Sequence, residues 1–243
     1  MIKVITSKNN ERVKFACSLK ENKNRKIHKM FLAETFKSLE MALKNNLVVE
    51  IFALEYVDAP SEIPQNLVSE DVLKKLSSNV NPEGVVFIAK MPEYQVNNPS
   101  KVLYLDDISD PGNMGTLIRT ALAFDYDLVV TSENSVSVYN EKVINSSKGA
   151  IFQIPVVVGK LKDYIGSHDI LVTNLSKKAV DFESIKVPEK FVLVLGNESH
   201  GVNKETVKLA SKEIIIPIKN IDSSRHNRIS LLPAQLVVPH NSR

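Results

Sequence analysis

Asn113, Gly115 and Arg119 stand in the spacing Asn-x-Gly-x-x-x-Arg just after the apolar run Val102-Leu103-Tyr104-Leu105-Asp106-Asp107. The run reads as a strand, Ile108 to Gly115 as a polar loop, and Thr116 to Phe124 as a helix whose buried face is Leu117, Ile118, Ala121 and Leu122. Arg119 falls outside that stripe and is free to point into a cleft. A loop-to-helix junction at a strand end also offers backbone N–H groups to an anion. A plainer reading stays open, in which Asn113 caps the helix and Arg119 is a surface charge. A second strand, Phe191 to Leu195, opens into Gly196-Asn197-Glu198-Ser199-His200-Gly201-Val202. Here Gly196 would let another molecule approach the backbone, while Asn197 and Glu198 bring polar groups to the same strand end. An ordinary turn with an exposed Glu198 fits these residues too, and His200 has no metal partners in sequence and reads as a polar loop residue. A third run, Ile214-Ile215-Ile216-Pro217-Ile218, carries a proline that cannot donate to a sheet, so it ends a strand or lies on an edge.

These loops need a scaffold. Strand-like runs at Val102–Leu105, Leu128–Thr131, Pro155–Val158, Ile170–Thr173, Phe191–Leu195 and Ile214–Ile218 alternate with helical patterns, which predicts a mostly parallel α/β sheet covered by helices. Upstream, Asn9 or Asn10 can cap a helix carrying Val13, Ala16, Cys17 and Leu19, followed by a polar, basic connection from Lys23 to Lys29. A strand at Met30–Ala33, a helix through Phe36, Leu39, Ala42 and Leu43, a strand at Val48–Leu54, a helix at Asp71–Leu76 and a strand at Val85–Ala89 follow. Residues 1–91 therefore form one α/β unit, 92–100 a proline-containing linker, and 101–243 a second domain, a division that suits 243 residues of which 43% are apolar.

Composition narrows the chemistry. None of the eight glycines lies in G-x-G-x-x-G or in a phosphate-binding loop, so dinucleotide and nucleoside-triphosphate cradles are excluded, as is the usual glycine motif of Rossmann-type methyltransferases. Cys17 is the single cysteine, which rules out a disulfide framework and fits a reducing compartment. No apolar run approaches the roughly 20 residues that span a bilayer, and the first residues lack a signal-peptide core. A cytoplasmic protein without a membrane partner is expected. The net charge of +3 is uneven: residues 1–30 hold nine Lys or Arg against two acids, a net of +7, leaving −4 for the other 213. Such a segment attracts a polyanion, for which RNA is the natural candidate, although a solvated helix face would look alike.

The order Asn113-x-Gly115-x-x-x-Arg119, then Leu195-Gly196-Asn197-Glu198-Ser199-x-Gly201, then Ile215-Ile216-Pro217 resembles the three motifs of the SpoU/TrmH family of RNA ribose methyltransferases in the SPOUT superfamily. Ile5-Thr6-Ser7, Asn10 and Phe31-Leu32-Ala33-Glu34 are similar to that family's RNA-binding domain, and the resemblance spans residues 3–224. It implies a trefoil-knotted, mostly parallel sheet behind a smaller N-terminal α/β RNA-binding domain, an exception to the rule that chains are unknotted. It implies S-adenosylmethionine held by backbone around Thr173, Gly196 and Ile216, with Ser223 and Ser224 matched more weakly, and no metal. Arg119 would be the catalytic arginine, with Asn113 and Glu198 orienting it and the ribose. Lys23, Arg25, Lys26 and Lys29 would contact RNA, ribosomal rather than transfer RNA, and the protein would be a homodimer. Two departures stand out. Thr35 replaces an expected glycine and can cap the next helix. After Ser223 and Ser224 the Leu-Asn and alanine-rich helix of the family are missing, and Pro233 and Pro239 oppose a continuous helix. That points to a frameshifted or otherwise altered C-terminus, and it keeps open a second function: an RNA-binding protein that retains the fold but has lost catalysis.

Overall fold

The computed structural model describes residues 4–215, so the readings of Ile216, Pro217, Ser223, Ser224 and the divergent tail lie outside it. Contacts divide the chain into two compact units. One draws its described residues from Met1–Glu93 and Tyr139–Gln153, the other from Tyr94–Val138 and Ile154–Arg243.

In the first unit, Asn10 starts α1 (Glu11–Ser18) by accepting the Arg12 N–H at 2.9 Å. The stretch read as a basic connection is instead helix α2 (Asn22–His28). It has no apolar period to reveal it, because its buried residue is Arg25. That guanidinium donates to the carbonyls of Leu19 at 3.1 Å and Lys20 at 2.6 Å, so it satisfies backbone groups at the end of α1. Lys29, at φ 54, terminates α2. Then come β1 (Met30–Glu34), α3 (Phe36–Lys44), β2 (Val48–Ala53), β3 (Gln65–Leu67), α4 (Glu70–Leu76) and β4 (Val85–Lys90). The sheet order is β1-β4-β2-β3, with β4 antiparallel to β1 and β2, and β3 parallel to β2. Strand β3 is three half-buried, mostly polar residues, a pattern that hydrophobic periodicity does not detect. On one face Leu32, Phe52, Val86 and Ile88 pack with Val13 and Ala16 of α1, with Leu19 just after it, and with Val72, Leu73 and Leu76 of α4. Residues of the opposite parity serve the other face.

The second unit begins with β5 (Lys101–Asp106), α5 (Pro111–Ala123) and β6 (Leu128–Thr131). The chain then returns to the first unit as α6 (Glu141–Ser147) and a 3-10 turn at Ala150–Phe152. There Phe152 lies against Phe31 and Phe87, with ring centroids 5.9 and 6.1 Å apart, and Tyr139 lies 4.7 Å from Phe31. A buried carboxylate fastens the segment: Glu34 accepts from the hydroxyl of Ser77, from that of Ser78 at 2.5 Å and from the amide of Asn145 at 2.8 Å. The first unit is thus discontinuous in sequence, which periodicity read along the chain does not show.

The second unit continues with β7 (Val156–Val158), β8 (Asp169–Thr173), β9 (Val180–Asp181), β10 (Phe191–Gly196), α7 (Lys204–Val207) and β11 (Lys212–Ile215). Its seven strands run β7-β6-β5-β10-β8-β11-β9 and every adjacent pair is parallel. Val102, Tyr104, Val130, Val172, Val192 and Val194 form part of its core, as buried strands of a parallel sheet require. From β5 the chain steps outward through β6 and β7, and the later strands build on the other side of β5. Strands β5 and β10 therefore flank the topological switch, where open α/β sheets bind ligands at the carboxyl ends of their strands.

Candidate active site

Strands β5 and β10 are in register, so Asp106 and Gly196 end them side by side. Beyond β5 the chain turns through Asp107, whose φ of 58 is unusual for a residue with a side chain. The loop after β6 stabilises the turn. The Asp107 N–H donates to the Ser132 hydroxyl at 2.9 Å, that hydroxyl donates to the Asp107 carboxylate at 2.7 Å, and the Ile108 N–H donates to the Ser135 hydroxyl at 3.2 Å. Helix α5 starts earlier than its apolar stripe suggests. Asp110 is the N-cap, accepting the Asn113 N–H at 2.7 Å, and Pro111 follows in the first turn, where its missing N–H costs nothing. Asn113 and Gly115 consequently lie in the helix rather than in a loop, and Asp110, not Asn113, does the capping.

The second loop is drawn tightly over its own strand. A Cβ on Gly196 would lie 2.2 Å from the Val202 nitrogen and 2.3 Å from the Gly201 carbonyl carbon, both backbone atoms. Asn197 and Gly201 exchange N–H···O bonds of 2.9 Å that close this loop. Glycine is required at 196 because the chain itself, not an external molecule, crosses there. The Asn197 amide donates to the Asp107 carbonyl at 2.7 Å and so ties the two loops together. Asp106 is buried and accepts the Asn203 N–H at 2.8 Å. Burial raises its carboxyl above the ordinary value, against hydrogen bonds from Asn203 and Thr206 that favour the ionised form.

Glu198 reaches back to the start of α5. One carboxylate oxygen accepts the Asn113 amide at 3.1 Å and the Asp110 N–H at 3.4 Å; the other accepts the Ser109 hydroxyl at 3.2 Å and the Ser109 N–H at 3.5 Å. Burial opposes its ionisation, but bonds from its own backbone, Asn113, Ser109 and Asp110 outweigh burial and hold the carboxyl below its ordinary value. The helix N-terminus expected to receive an external anion is therefore supplied with one by the protein.

Thr173 ends β8, on the far side of β10, and donates its hydroxyl to the Val194 carbonyl at 2.9 Å, leaving its backbone at the strand end. The chain after it is held by Glu213 of β11, which accepts from Asn174 at 2.8 Å and Ser176 at 2.5 Å. Asn113, Glu198, Gly196 and Thr173 thus gather at one end of the sheet. Arg119 does not join Asn113 and Glu198. It is exposed and makes no hydrogen bond or ion pair among the described residues, and six residues along α5 separate it from Asn113 by about 9 Å of rise. The expectation that Asn113 and Glu198 orient Arg119 is not met. Sequence reasoning missed Ser109, Asp106 and Ser132, whose partners lie 25 to 97 residues away in the chain.

Among the expected RNA contacts, Lys23, Lys26 and Lys29 are exposed and free of ion pairs among the described residues, whereas Arg25 is buried and committed to the end of α1. The described residues include no group of three or more His, Cys, Asp or Glu placed to hold a metal ion. No described helix is long and apolar enough to cross a membrane.

Known proteins resemble this chain in sequence and in fold. The family model of the SpoU rRNA Methylase family matches residues 100–224, and that of the MRM3-like substrate binding domain matches residues 10–86. The chain is 30% identical to the 23S rRNA (guanosine(2553)-2'-O)-methyltransferase RlmP of Bacillus subtilis over 226 residues, 89% of this chain and 91% of that one. A crystal structure of an RNA 2'-O ribose methyltransferase superposes with a TM-score of 0.80 at 26% identity, covering 97% of this chain and 96% of that one. An AdoMet-bound rRNA methyltransferase from Sinorhizobium meliloti, at 23% identity and with the same coverage, superposes with a TM-score of 0.83 and shares the fold. A family match over more than half of its length and a 30% identical relative covered almost end to end lead to one conclusion: the chain belongs to the SpoU rRNA methylase family of RNA 2′-O-ribose methyltransferases.

Proposed function

We propose that this enzyme methylates one ribose 2′-hydroxyl in ribosomal RNA, with S-adenosylmethionine as methyl donor, and that its first unit holds the RNA. The observation that carries this reading is the joining of the two loops by Glu198 at the carboxyl ends of β5 and β10, beside Thr173 on β8. The strand ends fit the cofactor: Thr173 and Gly196 end neighbouring parallel strands, and the Thr173 hydroxyl, tied to the Val194 carbonyl, leaves backbone at that strand end to hold a ligand. When bound, the cofactor supplies an electrophilic sulfonium methyl.

The protein's task is then to place and activate a hydroxyl that is a poor nucleophile at neutral pH. Arg119 is an always-charged, planar donor with no internal partner among the described residues, and it can take the neighbouring phosphate in a bidentate grip and favour loss of the hydroxyl proton. Asn113 and Glu198 act one step back. A carboxylate offers about four acceptor positions, and four donors from Ser109, Asp110 and Asn113 already surround Glu198 besides its own backbone, so it positions the α5 N-terminus rather than taking a proton. Lys23, Lys26 and Lys29 attract the RNA backbone. The family relationship supports a trefoil knot and a homodimer, and the single cysteine, Cys17, fits a reducing, cytoplasmic site of action. A binder without catalysis is not favoured, because Asn113, Glu198 and Arg119 are all present and the Bacillus subtilis relative is named for methyl transfer.

The test is incubation with tritiated S-adenosylmethionine and either ribosomal or transfer RNA, followed by alkaline hydrolysis. Label retained in one alkali-resistant dinucleotide of ribosomal RNA is the expected result. Saturable cofactor binding with no label in any RNA would restore the binding-protein reading.

A further inference from the structure

The first unit carries a groove of about 540 Å³ between α3 and the segment after β2, a volume typical of ligand-binding clefts. Its apolar lining is open to solvent: Phe36, Leu54 and Tyr56 are 49%, 39% and 59% exposed. Large apolar side chains exposed side by side mark a surface meant to be covered. The wall is fixed before anything binds, because the Gln65 side chain clasps Val57 through two bonds of 3.1 Å, donating to its carbonyl and accepting its N–H. Gly84, opposite, leaves the Phe36 ring uncovered.

The rim is acidic. Glu40 is neutralised by Lys44 at 2.6 Å, but Glu55, Asp58 and Glu83 make no ion pair among the described residues, and no Lys or Arg lines the groove. This sets it apart from the opening 30 residues, with their net charge of +7. Three unpaired carboxylates around an apolar floor repel a phosphate backbone and attract a cation that also carries apolar side chains.

We propose that this groove docks a cationic peptide segment of a partner protein, with apolar side chains seated on Phe36, Leu54 and Tyr56 and Lys or Arg side chains paired with Glu55, Asp58 and Glu83. Such a site recruits the enzyme to a protein that accompanies its RNA, and it does not depend on the catalytic reading.

The experiment is fluorescence-anisotropy titration of the full chain with a labelled dodecapeptide of alternating Arg and Leu, alongside Arg/Ser and Glu/Leu controls. One-site binding of the Arg/Leu peptide alone, weakened at least about tenfold by Tyr56→Ala and by Glu83→Lys, is expected. Both residues are at the surface, so unchanged thermal unfolding midpoints and unchanged S-adenosylmethionine binding show that the variants fold. Arg/Leu binding that survives both substitutions, or equal binding of the Arg/Ser peptide, overturns the proposal. So does weakened binding of an RNA oligonucleotide by Tyr56→Ala, which would assign the groove to nucleotides. Dissociation of a dimer by Tyr56→Ala would assign it to a second copy of the chain.

Discussion

Thr35 sits at φ 82 and ψ 141, a region of backbone space close to that reserved for glycine, and its hydroxyl accepts the Ser38 N–H at 3.2 Å. The cap read from sequence is real, and the positive φ accounts for the glycine that the resemblance led one to expect here. Strain of this kind costs about 1–3 kcal/mol, while replacing a threonine cap by glycine costs a few tenths. Thr35→Gly should stabilise the protein by about 1 kcal/mol even after the added chain entropy. Thr35→Ala, which keeps the strain and loses the cap, should destabilise it by about 1 kcal/mol. Urea unfolding of both variants checks the pair, and a destabilised Thr35→Gly would show that the turn is not strained. At the active site, Arg119→Ala should leave cofactor affinity nearly unchanged yet lower kcat by about 100-fold or more, as loss of a charge-stabilising donor does. Equal losses in cofactor binding would contradict its assignment. Glu198→Gln should lower kcat without moving the pH–rate profile, because the carboxylate acts by position; loss of an acidic limb would make Glu198 the base instead.

Among the elements, α6 is tied to the end of β1 by a buried carboxylate. Glu34 sees burial, which opposes ionisation, outweighed by hydrogen bonds from Ser77, Ser78 and Asn145, so its carboxyl lies below the ordinary value. A lowered value in the folded state adds stability that is complete above the unfolded-state value of about 4.3 and is lost as pH falls through the folded-state value. Glu34→Gln should remove about 1–3 kcal/mol at pH 7 and make stability flatter with acidification than in the parent protein. Chemical denaturation between pH 3 and 7 reads this directly, and parallel acid limbs would show that Glu34 does not contribute. The same contacts explain what escaped the sequence. Short apolar runs revealed β1, β2, β4 and six of the seven strands of the parallel sheet, because those strands bury successive side chains. Helix α2, β3 and β9 are short and polar, and tertiary contacts, not periodicity, hold them.

On the scale of the whole molecule, positive charge gathers in the opening 30 residues of the first unit, and the loops joined by Glu198 lie in the second. If Lys23, Lys26 and Lys29 each meet a phosphate, changing all three to Ala should reduce the slope of log K against log salt by about 2–3. Arg25→Ala should lower stability and leave that slope unchanged, since its guanidinium is spent on the Leu19 and Lys20 carbonyls. Filter binding to ribosomal RNA at several salt concentrations separates the two, and an unaltered slope in the triple variant would move the RNA surface elsewhere.

The amino-acid sequence by itself determined the parallel sheet, the family, and the polar residues Asn113 and Glu198 at strand ends, because each is written in local order: apolar runs, missing glycine motifs, and side chains next to one another in the chain. It could not determine that residues 139–153 belong with the first unit, that Gly196 makes room for its own loop, that Glu198 is the anion at the start of α5, or that Arg25 is buried. Each of those depends on atoms brought together from distant parts of the chain, where packing space and hydrogen-bond satisfaction, rather than residue type, decide what a side chain does.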